Sequence, residues 1–195
     1  PTNCGFTSLS LTLQSDYMGL SNLIKAGTKY FGTTGNGGTI LCFDSATQAP
    51  CASNGTALTW GASNYYSSRM LIHSNKLYVM SESGVDCFNT SDLSNCTSGT
   101  WPAVGTNANS LVGMFLVHEN TSGIVDGICS STNCWKLDGT EATFTNPMQF
   151  VSAYADVWQD SLVTNHRAYI FDNGAMSVAC FDYLTENLCS GFTSQ

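Results

Sequence analysis

The stretch LIHSNKLYVMSESGVDCFNTSDLSNC, residues 71–96, decides the fold. Leu71-Ile72 and Leu77-Tyr78-Val79 are short apolar runs, and Ser74-Asn75 lies between them. Asn tolerates the left-handed backbone that a tight hairpin needs, so the two runs read as paired strands. Gly84 opens a third run that carries Cys87-Phe88, and Asn89 to Asp92 has the composition of a turn before Cys96. Working outward, the same order recurs in LIKAGTKYFGTTGNGGTILCFDSATQAPC from Leu23, in FLVHENTSGIVDGICSSTNCWKLDGTEATF from Phe115 and in LVTNHRAYIFDNGAMSVACFDYLTENLC from Leu162.

The anchor cysteines are Cys42, Cys87, Cys134 and Cys180, at steps of 87 − 42 = 45, 134 − 87 = 47 and 180 − 134 = 46. An aromatic follows each: Phe43, Phe88, Trp135 and Phe181. Upstream come apolar pairs, Tyr30-Phe31, Tyr78-Val79, Ile124-Val125 and Tyr169-Ile170, and before them a turn residue, Gly27, Asn75, Asn120 or Asn165. Each unit therefore predicts four short strands, the fourth holding Trp60, Trp101, Phe144 or Phe192. Frequent turn signals and no sustained helical period make the chain all-β. A four-stranded unit recurring at about 46 residues has the size of a propeller blade. The units divide as 14–60, 61–104, 105–146 and 147–195, and residues 1–13 read as the outer strand of a preceding or neighbouring unit.

Leu77-Tyr78-Val79 through Gly84 to Cys87-Phe88 and Ser91-Asp92 resembles the repeats of quinoprotein-like and kelch-like propellers. The resemblance is one of pattern and covers nearly the whole chain; it implies β-propeller blades or a propeller segment. Quinone binding does not carry over, because the vicinal disulfide of that signature has no counterpart here: no two cysteines are adjacent. No cofactor is expected.

Three units contain Cys-x8-Cys: Cys42/Cys51, Cys87/Cys96 and Cys180/Cys189. Each pair falls on strands three and four of one hairpin, and opposed residues at a non-hydrogen-bonded position lie within bridging range. In the third unit Thr143 stands in the place of the second cysteine, and Cys129 appears five residues before Cys134, which predicts a Cys129–Cys134 bridge. Zinc sites favour narrower Cys pairs with a second pair nearby, so the spacing favours structural disulfides and an oxidising, extracellular or cell-surface location. Cys4 is left over and fits the second cysteine of an earlier unit (51 − 4 = 47). It is expected to be unpaired or to join another chain, and strand donation from residues 1–13 would link copies end to end.

Of 195 residues, 43% are hydrophobic and only 10% charged, so Ser, Thr, Asn and Gly supply the soluble surface. The net charge of −8 and six scattered cations exclude nucleic acid, whose phosphates need clustered Lys and Arg. No apolar run approaches the ~20 residues of a membrane span. Asn54, Asn89, Asn95 and Asn120 head glycosylation sequons, with Asn95 expected to be shielded by bridging Cys96.

His73, His118 and His166 fall at the turn between the first two strands and read as solvated turn residues. Asp44, Asn89, Asp138 and Asp182 sit where the chain turns and are expected to bond their own backbone. Thr34-Gly35-Asn36-Gly37-Gly38 is a hairpin loop, with no helix to make it a phosphate cradle. Tyr17, Tyr65, Tyr66, Tyr154 and Trp158 lie in segments between units and form candidate platforms for glycans or proteins. No catalytic set is seen. Asp126, Asp156, Asp160 and Asp172 are the acids expected nearest the loop face. The functional expectation is a structural or adhesive extracellular scaffold, self-assembling into fibres, not an enzyme. A lectin-like module is the alternative, and a propeller enzyme the second.

Overall fold

A computed structural model describes residues 20–34, 38–59, 69–80, 84–104, 115–130, 132–150, 160–172 and 177–192. Cys4, Tyr17, Trp60, Tyr65, Tyr66, Tyr154, Asp156 and Trp158 lie outside them, as does the strand expected in residues 1–13.

The described chain is all-β, with one 3-10 turn at Pro147–Phe150. The first sheet holds β1 (Leu20–Ala26), β2 (Lys29–Thr34), β3 (Thr39–Asp44), β4 (Ala49–Pro50) and β5 (Thr56–Ala57); β4 and β5 both pair with β3. The second holds β6 (Arg69–His73), β7 (Lys76–Met80), β8 (Gly84–Asn89) and β9 (Ala103–Val104). The third holds β10 (Phe115–Glu119), β11 (Val125–Ser130), β12 (Cys134–Lys136) and β13 (Glu141–Ala142). The fourth holds β14 (Asp160–Thr164), β15 (Arg167–Asp172), β16 (Ser177–Asp182) and β17 (Asn187–Leu188). All pairings are antiparallel, and all but that of β5 with β3 join consecutive strands, as local hairpins dictate.

Type I′ turns need two positive φ values, and Ser74-Asn75 (48° and 61°) and Asn165-His166 (50° and 60°) supply them. Gly27 also has positive φ, at 59°. Asn120 does not share this role. Its side-chain oxygen accepts the N–H groups of Ser122 and Ile124, rounding a longer turn that ends in a bulge at β11.

Register corrects the alignment of the third unit. The anchor cysteines of the other sheets lie opposite Phe31, Tyr78 and Tyr169. Cys134 lies opposite Cys129, so Cys129-Ser130 occupies the place given to Ile124-Val125, and Ile124 is exposed; in the first unit Phe31, not Tyr30, matches Tyr78 and Tyr169. The expected outer-strand aromatics also shift. Outer strands are two residues long, and Trp101, Phe144 and Phe192 lie beyond their ends.

Four disulfides form: Cys42–Cys51, Cys87–Cys96, Cys129–Cys134 and Cys180–Cys189. The three wide brackets are not at non-hydrogen-bonded positions. In each, the N–H of the second cysteine donates to the carbonyl of the first, and the Cα atoms stand 5.3–5.4 Å apart. That spacing belongs to hydrogen-bonded pairs. Cys129–Cys134 is the non-hydrogen-bonded case: its Cα atoms are 4.1 Å apart, and the flanking Ser130 N–H donates to Asn133 O. Thr143 is also one residue off, because Ala142 is the residue opposite Cys134. The turn before β13 is one residue shorter than its counterpart in the fourth sheet.

The four sheets pack in series. β6 runs beside β1 and β10, and β14 runs beside β10. Three cores fill the spaces between consecutive sheets. Strand alternation gives each sheet two faces. Phe31, Ile40 and Cys42 of the first sheet meet Leu77, Val79 and Phe88 of the second. Tyr78, Val85 and Cys87 of the second meet Ile128 and Trp135 of the third. Leu116, Cys129 and Cys134 of the third meet Ala168, Ile170 and Phe181 of the fourth. In every case the anchor cysteine points forward to the next sheet, and the aromatic after it points back. Burying one such large side chain contributes about 1.5–3 kcal/mol, so the interfaces between units carry the fold.

Candidate functional site

A set of titratable side chains lies at the seam of the third and fourth sheets. It begins with a local departure in β11. Opposite the residue after the anchor aromatic, the other sheets carry Lys29, Lys76 and Arg167, whereas the third carries Gly127. A Cβ at Gly127 would overlap the Phe144 ring. The missing side chain admits Phe144, which stacks on His118 with centroids 4.1 Å apart and planes 6° from parallel. Tyr183 meets the same imidazole edge-on at 5.2 Å and donates its hydroxyl to Val117 O at 2.7 Å. The anchor cysteine's aromatic neighbour, Phe181, packs edge-on against Tyr183.

His118 is therefore buried, which corrects the expectation of a solvated turn histidine. It and His73 do occupy equivalent positions, opposite Gly127 and Lys76. The neighbours differ: His73 is only half-buried, bonds the Ser74 hydroxyl, and is held below its usual pKa by desolvation and then by Lys76. His118 Nδ1 stands 2.7 Å from Asp126 Oδ1. A carboxylate only accepts, so Nδ1 carries the proton. His166 reaches back from the fourth sheet, its Nδ1 2.7 Å from Glu119 Oε2. Gly123, at φ 73°, leaves the space that the His166 ring fills. Burial first, then Glu119 and Asp126, pushes the Tyr183 phenol well above its usual range.

This set ties the third sheet to the fourth. His118 is sandwiched between rings, and each imidazole is spoken for by one carboxylate. Such pairs fix the tautomer and ring orientation. Among the described residues no three His, Cys, Asp or Glu side chains converge as a metal site.

Asp126 sits at the turn end of β11, away from the hairpin that joins strands two and three, because the chain has only just entered that strand. Asp160 and Asp172 sit at the other end, at the start of β14 and the end of β15. Asp44, Asp138 and Asp182 accept the backbone N–H two residues on, as expected of turn residues. Register puts Lys136, not Asp138, in the position of Asp44, and the capping carboxylate of the third unit comes two residues later. In the second unit Asn89 donates to Ser94 and Asp92 takes the turn-capping role. Backbone hydrogen bonds, from Ala46 and Ser94, lower the pKa of Asp44 and Asp92; the Thr140 hydroxyl does most for Asp138. Asn54 accepts the Cys42 N–H, and Asn95 is exposed despite adjoining Cys96.

Among the contacts across seams that sequence reasoning missed are His166–Glu119, Thr59 N–H to Asp86 Oδ2 at 3.1 Å, and Trp101 Nε1 to Leu137 O at 3.3 Å. The partners in these lie 27 to 47 residues apart, and no local pattern encodes them. No helix among the described residues is long and apolar enough to cross a membrane. No protein-family model and no curated protein matches this sequence.

Proposed function

We propose that the chain is an extracellular or cell-surface scaffold, a segment of disulfide-clipped propeller blades that presents a rigid surface. The observation that carries this reading is that each sheet holds its own bridge, four bridges for four sheets. Outer strands of two residues make few ladder hydrogen bonds, and a covalent tie keeps them in place. Closing loops of this size contributes about 2–3 kcal/mol each, so the set is comparable with the whole stability of an ordinary domain. Bridges persist outside the reducing cytosol, and a surface of Ser, Thr, Asn and Gly suits the same location.

Thermal melts and limited proteolysis with a broad-specificity protease, with and without reductant, test the reading. The oxidised chain is expected to melt cooperatively and resist cleavage, and the reduced chain to unfold near ambient temperature. Free thiols at the eight bridged positions in protein from its native source, or an unchanged melt on reduction, would overturn it.

A further inference from the structure

We infer that the forward face of the fourth sheet docks against the rear face of the first sheet in a second copy of this chain, head to tail; this rests on the scaffold reading above. All three internal interfaces obey one polarity, cysteine face against aromatic face. Among the described residues no core joins the fourth sheet to the first.

Register identifies what is left open. Val178 and Phe171 occupy the positions of Val85 and Met80 in the second sheet and of Ile40 and Thr33 in the first. Those four are 0% exposed, whereas Phe171 is 44% and Val178 39% exposed. Leu162 holds the place of Leu116, which is 2% exposed, and is itself 54% exposed. The fourth sheet thus leaves open apolar positions whose counterparts in the other sheets are buried, and among the described residues no sheet is laid on them, although Cys180 between them is only 1% exposed.

The rear face of the first sheet is the matching half. Phe43 and Tyr30 stand where Phe88 and Leu77, Trp135 and Ile128, and Phe181 and Ala168 are buried against a preceding sheet. Phe43 and Tyr30 remain partly exposed, and Leu23 at the edge of that face is 68% exposed. Lys25 replaces the branched Ile72, Val117 and Val163 of the other sheets and lays its ammonium 5.4 Å over the Tyr30 ring. Its stem extends the apolar surface while the charge stays at the rim.

A face that fits the opposite end of its own molecule makes a heterologous contact, which closes into a ring or continues as a series. Two copies bring 2 × 4 = 8 sheets, within the roughly four to eight blades of closed propellers. Because no core among the described residues closes the fourth sheet onto the first within one chain, the occupant is a second copy of this chain.

Sedimentation velocity on the oxidised Cys4→Ser chain across a concentration series tests this without covalent linkage through Cys4. The chain is expected to associate, as a dimer or as longer species. A forward-face variant, Phe171→Glu with Val178→Glu, and a rear-face variant, Leu23→Glu with Lys25→Glu, are each expected to associate at least about tenfold more weakly, because docking would bury unpaired charge. An equimolar mixture of the two is expected to form a heterodimer, since each supplies the one face the other lacks. Strand donation would be indifferent to these face charges, so variants that associate like the parent overturn the inference. So does a parent chain that stays monomeric. A stable oxidised monomer would leave the scaffold reading standing, because that reading is judged by the melt on reduction.

Discussion

The third and fourth sheets come from one repeat and yet place length, sulfur and histidine differently. In the fourth, ten residues separate Tyr169 from Cys180, and a two-residue turn joins β14 to β15. In the third, four residues separate Cys129 from Cys134, and the first turn lengthens to residues 120–124 with a bulge. Residues lost from one hairpin reappear in the other, so the step between anchor cysteines barely changes. The shortened β12 would leave Cys134 without its cross-strand aromatic, and Cys129 fills that place and bridges it. The lengthened turn brings Glu119 and Gly123 to His166 of the next sheet. The difference teaches that a repeat keeps its interfaces between units while individual hairpins vary.

The largest effect is expected from emptying the shared core. Trp135 is fully buried and fills the space that Phe181 fills one sheet later. Trp135→Ala is expected to cost about 3–5 kcal/mol in urea denaturation. Next, His118→Ala removes a ring held between Phe144 and Tyr183 and strands Asp126; about 2–4 kcal/mol is expected, whereas the equivalent half-exposed His73→Ala should cost within about 1 kcal/mol. Equal costs would show that the two positions do not differ as their surroundings require.

Bridge relocation can be reversed. In a Cys129→Phe background, Ala142→Cys is expected to restore a bridge to Cys134, recovering about 2–3 kcal/mol, and Thr143→Cys is not. Peptide mapping without reductant decides between them. A bridge to Cys134 in the Thr143→Cys variant, with none in the Ala142→Cys variant, would show the register to be wrong.

An alkaline titration sharpens the contrast between interfaces. Burial pushes Tyr78 up to about 12, and Tyr183 is raised further by burial and two carboxylates. Folded pKa values above the unfolded value of about 10 mean that this stability is fully present below about pH 10 and is lost as pH rises through the folded values. Tyrosinate absorbance should therefore appear together with loss of structure, and Tyr78→Phe with Tyr183→Phe should flatten the alkaline loss. The smallest effect is expected at the seam's rim: His166→Ala should cost about 0.2–1 kcal/mol, less at high salt.

Much of this was legible in the residues. Steps of 45 to 47 between anchors showed the units, and the eight bridged cysteines were paired correctly, because each bridge spans nine residues or fewer. Asn75 and Asn165 announced their turns through the one backbone conformation that such turns demand. Less legible was the third unit, where an alignment on Ile124-Val125 hid a register that only cross-strand pairing reveals. The aromatic platform expected at Tyr17, Tyr65, Tyr66, Tyr154 and Trp158 lies outside the described residues.

From the chain alone came what is local: alternation of apolar residues, turn chemistry and the nearness in sequence of cysteines that must meet. Only the packed molecule decided which face of each strand looks forward, that His118 is enclosed by a tyrosine 65 residues away, and that Ala142 lies across from Cys134. The physical reason is that strand formation answers to neighbours along the chain, whereas burial answers to whatever sheet is laid on top.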